Sequence, residues 1–297
     1  MSGPPRIFDK VLLDRRRRRA LRAATPGAGF LLEAVAADLA ERLAAVQRRF
    51  ALAVEVGSIL PVTGERLLAT GRIERLVRVQ RFSEGGADVV ADEELFPFAA
   101  ESLDLVVSAL ALQFTNDMPG TLAQIRRALK RDGLFLAALA GGDTLIELRE
   151  SLAAAEAELS GGASPRVAPF AEVRAVGNLL HRAGFALPVT DQDRFTIRYA
   201  DAFALMRDLR AMGATNMLVE RSRRPLGRAV LFRAAAIYGE RFADSDGRIR
   251  ATFDVISLSG WAPHVSQQKP LRPGSARVRL ADALGTVERP AGEKAGR

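Results

Sequence analysis

With 297 residues, 48% hydrophobic and 26% charged, the sequence has the make-up of a globular protein with a full core, and no apolar run approaches the roughly 18 to 20 residues that a membrane span needs. The lack of cysteine excludes disulfides, thiolate nucleophiles and cysteine-based zinc sites and fits a reducing, cytoplasmic setting, while His181 and His264 are the only imidazoles a metal site could use, so none is expected. The net charge of +8 is concentrated in Arg15–Arg19, and one tryptophan with two tyrosines is too few to interleave a basic face for nucleic acid.

Residues 1–29 read as a basic N-terminal arm, with Pro4-Pro5, the apolar pair Ile7-Phe8, the arginine run and a break at Pro26-Gly27. The run is either a solvated helix face or a binding surface. The arm has no apolar signal-peptide core, and Asp9 and Asp14 argue against a transit peptide. From Phe30 to Arg49, apolar residues at three- and four-residue steps predict an amphipathic helix.

Buried strands are expected at 51–56, 76–80, 88–91, 105–110 and 134–139, with a helix from Pro119 to Leu129 between the fourth and fifth. Strands alternating with helices predict an α/β fold with a mostly parallel sheet covered on both faces. Beyond Gly141-Gly142 the chain becomes more helical. Thr144 and Glu147 have capping-box spacing for a helix to about Leu159, and further helices are expected at 171–182, 201–212 and 226–242, with strands from Phe185 and over 252–258. The expected organisation is an arm (1–29), a Rossmann-like core (30–142), a helical cap interleaved with the last strands (143–275) and a polar tail (276–297).

Ligands of open α/β sheets bind outside the carboxyl ends of the strands. The first strand ends in Glu55-Val56-Gly57, where the glycine lets backbone approach a ligand and the acid can shape the loop or meet an ammonium group. The third ends in Asp92-Glu93-Glu94, which is either a solvated acidic turn or a site where a carboxylate accepts from an adenine amine. His264, near Trp261 and Pro263, is a candidate substrate-side acid or base, or a structural histidine. Trp261 either lines a pocket or staples the last strand. Arg166 either meets an anionic group or lies in a solvated loop.

Asp92-Glu93-x-Leu95-Phe96-Pro97-Phe98, Asp104-Leu105-Val106-Val107-Ser108, Asn116-Asp117 and Leu129-Lys130-Arg131-Asp132-Gly133-Leu134-Phe135 resemble the central half of a class I S-adenosylmethionine (SAM) dependent methyltransferase. The arm Ile7-Phe8-Asp9, Gly141-Gly142-Asp143-Thr144-Leu145, Gly161-Gly162-Ala163-Ser164-Pro165 and Gly260-Trp261 narrow the resemblance to bacterial relatives of the mitochondrial complex I assembly-factor methyltransferases. The resemblance implies a seven-stranded sheet whose last strand is antiparallel, a helical cap, and a protein substrate belonging to a respiratory complex. It also implies SAM as cofactor, with Glu55 and Gly57 at the methionine moiety, Asp92 and Glu93 at the adenine, and Ser108 and Leu110 along the strand-four edge. Some mitochondrial relatives are described as arginine hydroxylases, a chemistry for which the sequence offers no metal constellation.

Three departures bear on activity. Ile59 and Pro61 occupy the second and third glycine positions of the family's first loop. Gln80 or Arg81 stands where the ribose-binding acid belongs, so that Gln80 could hold one hydroxyl without charge. Only residues 81–87 join strands two and three, too few for the usual crossover helix. Two readings follow: an enzyme with a partly altered cofactor site, or a pseudo-methyltransferase that keeps the fold as a binding or assembly scaffold.

Overall fold

Short apolar runs alternating with helical stretches build one sheet in the computed structural model, which describes residues 6–268, 274–275 and 278–287. The first of its two units, Met1–Pro263, contains α1 (Lys10–Ala23), α2 (Phe30–Ala45), β1 (Phe50–Val56), α3 (Val62–Ala69), β2 (Ile73–Gln80), β3 (Val89–Val90), β4 (Leu103–Ala109), α4 (Met118–Ala128), β5 (Leu129–Gly141), α5 (Ile146–Ser160), α6 (Val173–Arg182), β6 (Ala186–Tyr199), α7 (Ala202–Ala211), α8 (Arg228–Phe242) and β7 (Ile249–Trp261). A 3-10 turn at Leu112–Phe114 follows β4. The second unit, His264–Arg297, contains α9 (Leu280–Leu284). Pro4, Pro5 and the end of the expected polar tail fall outside the described residues. No helix among the described residues is long and apolar enough to cross a membrane.

Among the described residues the strand order is β3-β2-β1-β4-β5-β7-β6, with β1 to β5 parallel and β7 antiparallel between β5 and β6. This is the mixed sheet that the sequence predicts. The chain works outward from β1 to β3 and restarts at β4 on the other side, so the switch in strand order lies between β1 and β4.

Alternate residues of the central strands feed the two faces. Ala53, Leu105, Val107 and Leu136 pack with Leu39 and Leu43 of α2, Leu152 of α5 and Tyr238 of α8. Val54, Val106, Phe135 and Leu139 pack with Leu122 and Ile125 of α4 and Leu180 of α6. Both faces are therefore covered at the centre, which explains why these strands read as continuous apolar runs.

Three local expectations change. The strands near the β3 edge are not fully buried: Glu74 and Arg75 of β2 and Val90 of β3 are exposed, because no crossover helix covers them. Residues 81–88 instead form a tight connection in which Arg78 donates to the carbonyls of Gly85 and Gly86, both at positive φ. Secondly, Thr144 and Glu147 do not form a capping box. The Thr144 hydroxyl bonds the carbonyls of Gly141 and Asp254, and the Glu147 carboxylate accepts from the Thr252 amide and hydroxyl, so both side chains tie α5 to β7. Thirdly, the arm is a docked helix. Asp9 caps α1 by accepting from the Leu12 amide, Phe8 bridges Leu218, and the Asn116 side chain accepts from the amides of Ile7 and Phe8.

Candidate functional site

At the switch between β1 and β4 the sheet ends in a cavity of about 420 Å³. Gly57, Leu110 and Ala140 form its floor, at the carboxyl ends of β1, β4 and β5, and Leu21 of α1, Leu148 of α5 and Met206 of α7 contribute apolar walls. The volume falls within the roughly 300–1,000 Å³ of small-molecule sites. Two arginines, Arg17 and Arg166, are among the lining residues.

Beside this cavity, α1 lies over the acidic turn after β3. Lys10 Nζ is 2.9 Å from Glu93, 2.8 Å from Glu94 and 3.9 Å from Asp92. Arg81, just past β2, pairs with Asp14 at 2.9 Å, with Asp92, and more distantly with Glu93 at 3.8 Å. Glu93 is buried at 2% exposure, with Lys10 and Arg81 as its cationic neighbours. Burial pushes the Asp92 carboxyl up, but hydrogen bonds from Arg81 and the Glu94 amide, with the Lys10 charge, outweigh it and hold the group below its ordinary value. Arg18 stacks over Phe82 at 5.1 Å, extending the same contact toward the β2–β3 connection.

Arg17 departs from the reading of the arginine run as a solvated face. It is 6% exposed, lies 5.1 Å over the Phe114 ring and donates to the Gly57 carbonyl at 3.3 Å. Sequence reasoning missed Lys10 and Arg17 as members of the site. The signal was the three- and four-residue spacing of Lys10, Leu13, Arg17 and Ala20, which puts them on one helical face.

The cofactor-side residues expected from the sequence separate into two groups. Gly57 and Leu110 line the cavity. Glu55, Gln80, Ser108, Asp92 and Glu93 do not. Glu55 is turned toward α3, 3.0 Å from Arg78 Nε, with Oε2 only 2.9 Å from where a Gly64 Cβ would stand. Ser108 is fully buried and its hydroxyl donates to the Val56 carbonyl at 3.0 Å. Gln80 is 3% exposed, and neither polar atom of its side-chain amide has a hydrogen-bond partner among the described residues.

On the expected substrate side, Arg166 lines the cavity while bound to Glu156. Trp261 lies at the wrong end of the sheet to line a substrate pocket. It pairs with Leu134, at the opposite end of β5 from the cavity residue Ala140, about 20 Å away at the usual strand rise. Its side chain packs on the core as a staple of β7. His264 belongs to the second unit, where Nδ1 is 2.7 Å from the Ser266 hydroxyl. Among the described residues no group of three or more His, Asp or Glu side chains is arranged to hold a metal ion.

Burial raises the Glu55 carboxyl to about 7, outweighing the attraction of Arg78. Because the folded value exceeds the unfolded one, the folded state holds the extra proton between pH 4.5 and 7, and stability falls as pH rises through that window. Glu55→Gln is expected to remove this slope, which corresponds to about 3 kcal/mol at roughly 1.4 kcal/mol per pH unit. Urea unfolding of both proteins at pH 5 and pH 8 checks it; equal pH dependence would refute it.

SAM is the group that the family resemblance implies, and the residues present do not fit its adenosyl part. The carboxylates expected at the adenine are spent on Lys10 and Arg81, and a Cβ on Gly85 would stand 3.5 Å from Leu21 of α1 and 2.9 Å from the Ile59 carbonyl oxygen. A Cβ on Gly57 would stand 2.5 Å from the Ala111 Cβ, so this glycine is required by the packing of the following turn. At its φ of 78°, Gly57→Ala is expected to cost about 2–4 kcal/mol in strain and overlap, read as a lower melting temperature. An unchanged melting temperature would contradict that packing role.

Comparisons with known proteins place this geometry in context. A family model for a methyltransferase domain matches residues 60–137. The mitochondrial arginine-hydroxylase NDUFAF5 of Danio rerio is 40% identical over 262 residues, covering 85% of this chain and 81% of that protein, and the Homo sapiens protein of the same name is 37% identical over 300 residues, covering 97% and 86%. The malonyl-[acyl-carrier protein] O-methyltransferase of Laribacter hongkongensis is 38% identical over 217 residues, covering 73% and 69%. Among solved structures, the YcgJ protein of Bacillus subtilis shares the fold with a TM-score of 0.52 at 13% identity, covering 76% of this chain and 98% of that one.

Proposed function

The chain belongs to the family of the mitochondrial arginine-hydroxylase NDUFAF5, in the class I methyltransferase superfamily, and from that premise we propose that it is a protein-binding assembly factor for respiratory complex I. In this reading the methyltransferase fold serves as a scaffold, acting from the cytoplasm on a protein partner of the complex. One observation carries it: the acids that would grip an adenosyl group are held by Lys10 and Arg81 beneath a docked α1. A cofactor would have to displace four carboxylate–cation contacts before making its own, and a site that charges that cost binds weakly.

A second reading, SAM-dependent methylation, draws support from a different observation. Gly57 and Leu110 still line a cavity into which Arg17 reaches, which would suit the carboxylate of a methionine moiety. On this reading α1 must leave Asp92 and Glu93 before the adenosyl group enters.

The assembly role is tested in cells of origin from which the chain has been removed. Native gels are expected to show less fully assembled complex I, restored by re-expression. Normal assembly without the chain would overturn the role.

A further inference from the structure

From the cavity and Arg17, the lining arginine that makes no ion pair among the described residues, we infer a binding site for a medium-chain aliphatic carboxylate, with the guanidinium of Arg17 meeting the head and the apolar walls enclosing the chain. The inference goes beyond the scaffold reading and depends only on α1 remaining seated.

The head is identified by charge. Among the described residues Arg17 makes no ion pair and one hydrogen bond, to the Gly57 carbonyl at 3.3 Å. The carboxylates whose fields reach it, Glu93 and Asp14, are held by Lys10 and Arg81. A buried guanidinium that keeps unmatched N–H groups and lacks a counter-ion is a costly arrangement, and a carboxylate accepts from its planar fork in two parallel bonds. Arg166, the other arginine of the lining, is neutralised by Glu156, which leaves Arg17 to supply the attraction.

The body is identified by the walls. Leu21, Leu32, Leu110, Leu148, Met206 and Phe253 come from six different elements or their ends and converge on one space of about 420 Å³. An unbranched methylene chain gains from such a lining without asking for a polar partner. A nucleotide or sugar would bring many hydroxyls and ring nitrogens into walls that offer few partners. The anion expected here is therefore singly charged at one end and aliphatic elsewhere.

Isothermal titration of the full chain with hexanoate, octanoate and decanoate, each below its micelle concentration, tests this. Saturable binding is expected for decanoate, with affinity falling about fourfold for each methylene removed, the factor that corresponds to burying one such group. Decylammonium, with the same tail and the opposite head, is expected not to bind. Arg17→Met is expected to weaken decanoate at least tenfold while leaving decan-1-ol unchanged. Absence of decanoate binding at 1 mM, equal binding of decylammonium, or a chain-length series without slope would each overturn the site. A parallel titration with SAM separates the two proposals: decanoate and SAM both binding leaves this site standing and removes the scaffold reading.

Discussion

Arg81→Met is expected to lower stability by about 3 kcal/mol, because it takes the paired guanidinium from Asp14 and leaves Asp92 and Glu93 with Lys10 as the cation of the cluster. In a chain of this size that is a fall in melting temperature of roughly 6–12 °C. The loss has a pH signature. Asp92, held below its ordinary value in the native protein, contributes stability that is present above the unfolded value of 3.8 and is lost as pH falls through the lower folded value. Removing Arg81 removes that contribution, so the two proteins are expected to converge in strong acid. Arg17→Met should behave in the opposite way. Among the described residues its guanidinium has no carboxylate partner to strand, so an apolar side chain of similar length is expected to leave stability unchanged or raise it. Thermal unfolding of the two variants side by side measures the contrast. Equal losses from both would mean that Arg17 is structural and that the ion cluster is not what fastens α1.

Leu13→Ala is expected to cost about 2–5 kcal/mol, the range for truncating a fully buried leucine. Leu13 is wholly enclosed and clusters with Phe8, Met217 and Leu218, whereas Val11, two residues earlier, is 62% exposed. Val11→Ala should therefore be nearly silent. A freely solvated arm would tolerate both substitutions equally, so denaturant midpoints for the pair decide whether α1 belongs to the core. A change at Leu13 as small as that at Val11 would contradict the docked helix shown by the Phe8–Leu218 bridge and the Asn116 contacts.

How much of this was readable in the sequence depends on how local the signal is. The central strands are buried on both faces, so runs such as Leu103–Ala109, apolar but for Asp104 and Ser108, declare themselves. The missing crossover helix could be read from chain length alone, since residues 81–88 are too few to build one. The covering of the cofactor region could not. Asp92 and Glu93 match the family's adenine-binding pattern whether or not a cation sits on them, and the cations come from Lys10 and from Arg81, the former more than eighty residues away. Five consecutive arginines likewise conceal which one faces inward, because helical phase relative to the sheet is a tertiary fact. Gln80 shows the same limit in reverse: its replacement of an acid was visible, but not that its amide would be enclosed without a partner among the described residues. For Trp261 the sequence left pocket lining and strand staple both open, because a β-strand of thirteen residues spans the whole sheet and sequence does not say which end of it meets the cavity.

Calorimetric titration of the purified full chain with SAM and with S-adenosylhomocysteine tests the central claim most directly. With α1 fastened across the adenine acids, no saturable heat is expected up to 1 mM of either compound. Binding of either below about 100 µM would contradict it, since such affinity, roughly 5.5 kcal/mol or more, requires the adenosyl contacts that Lys10 and Arg81 occupy.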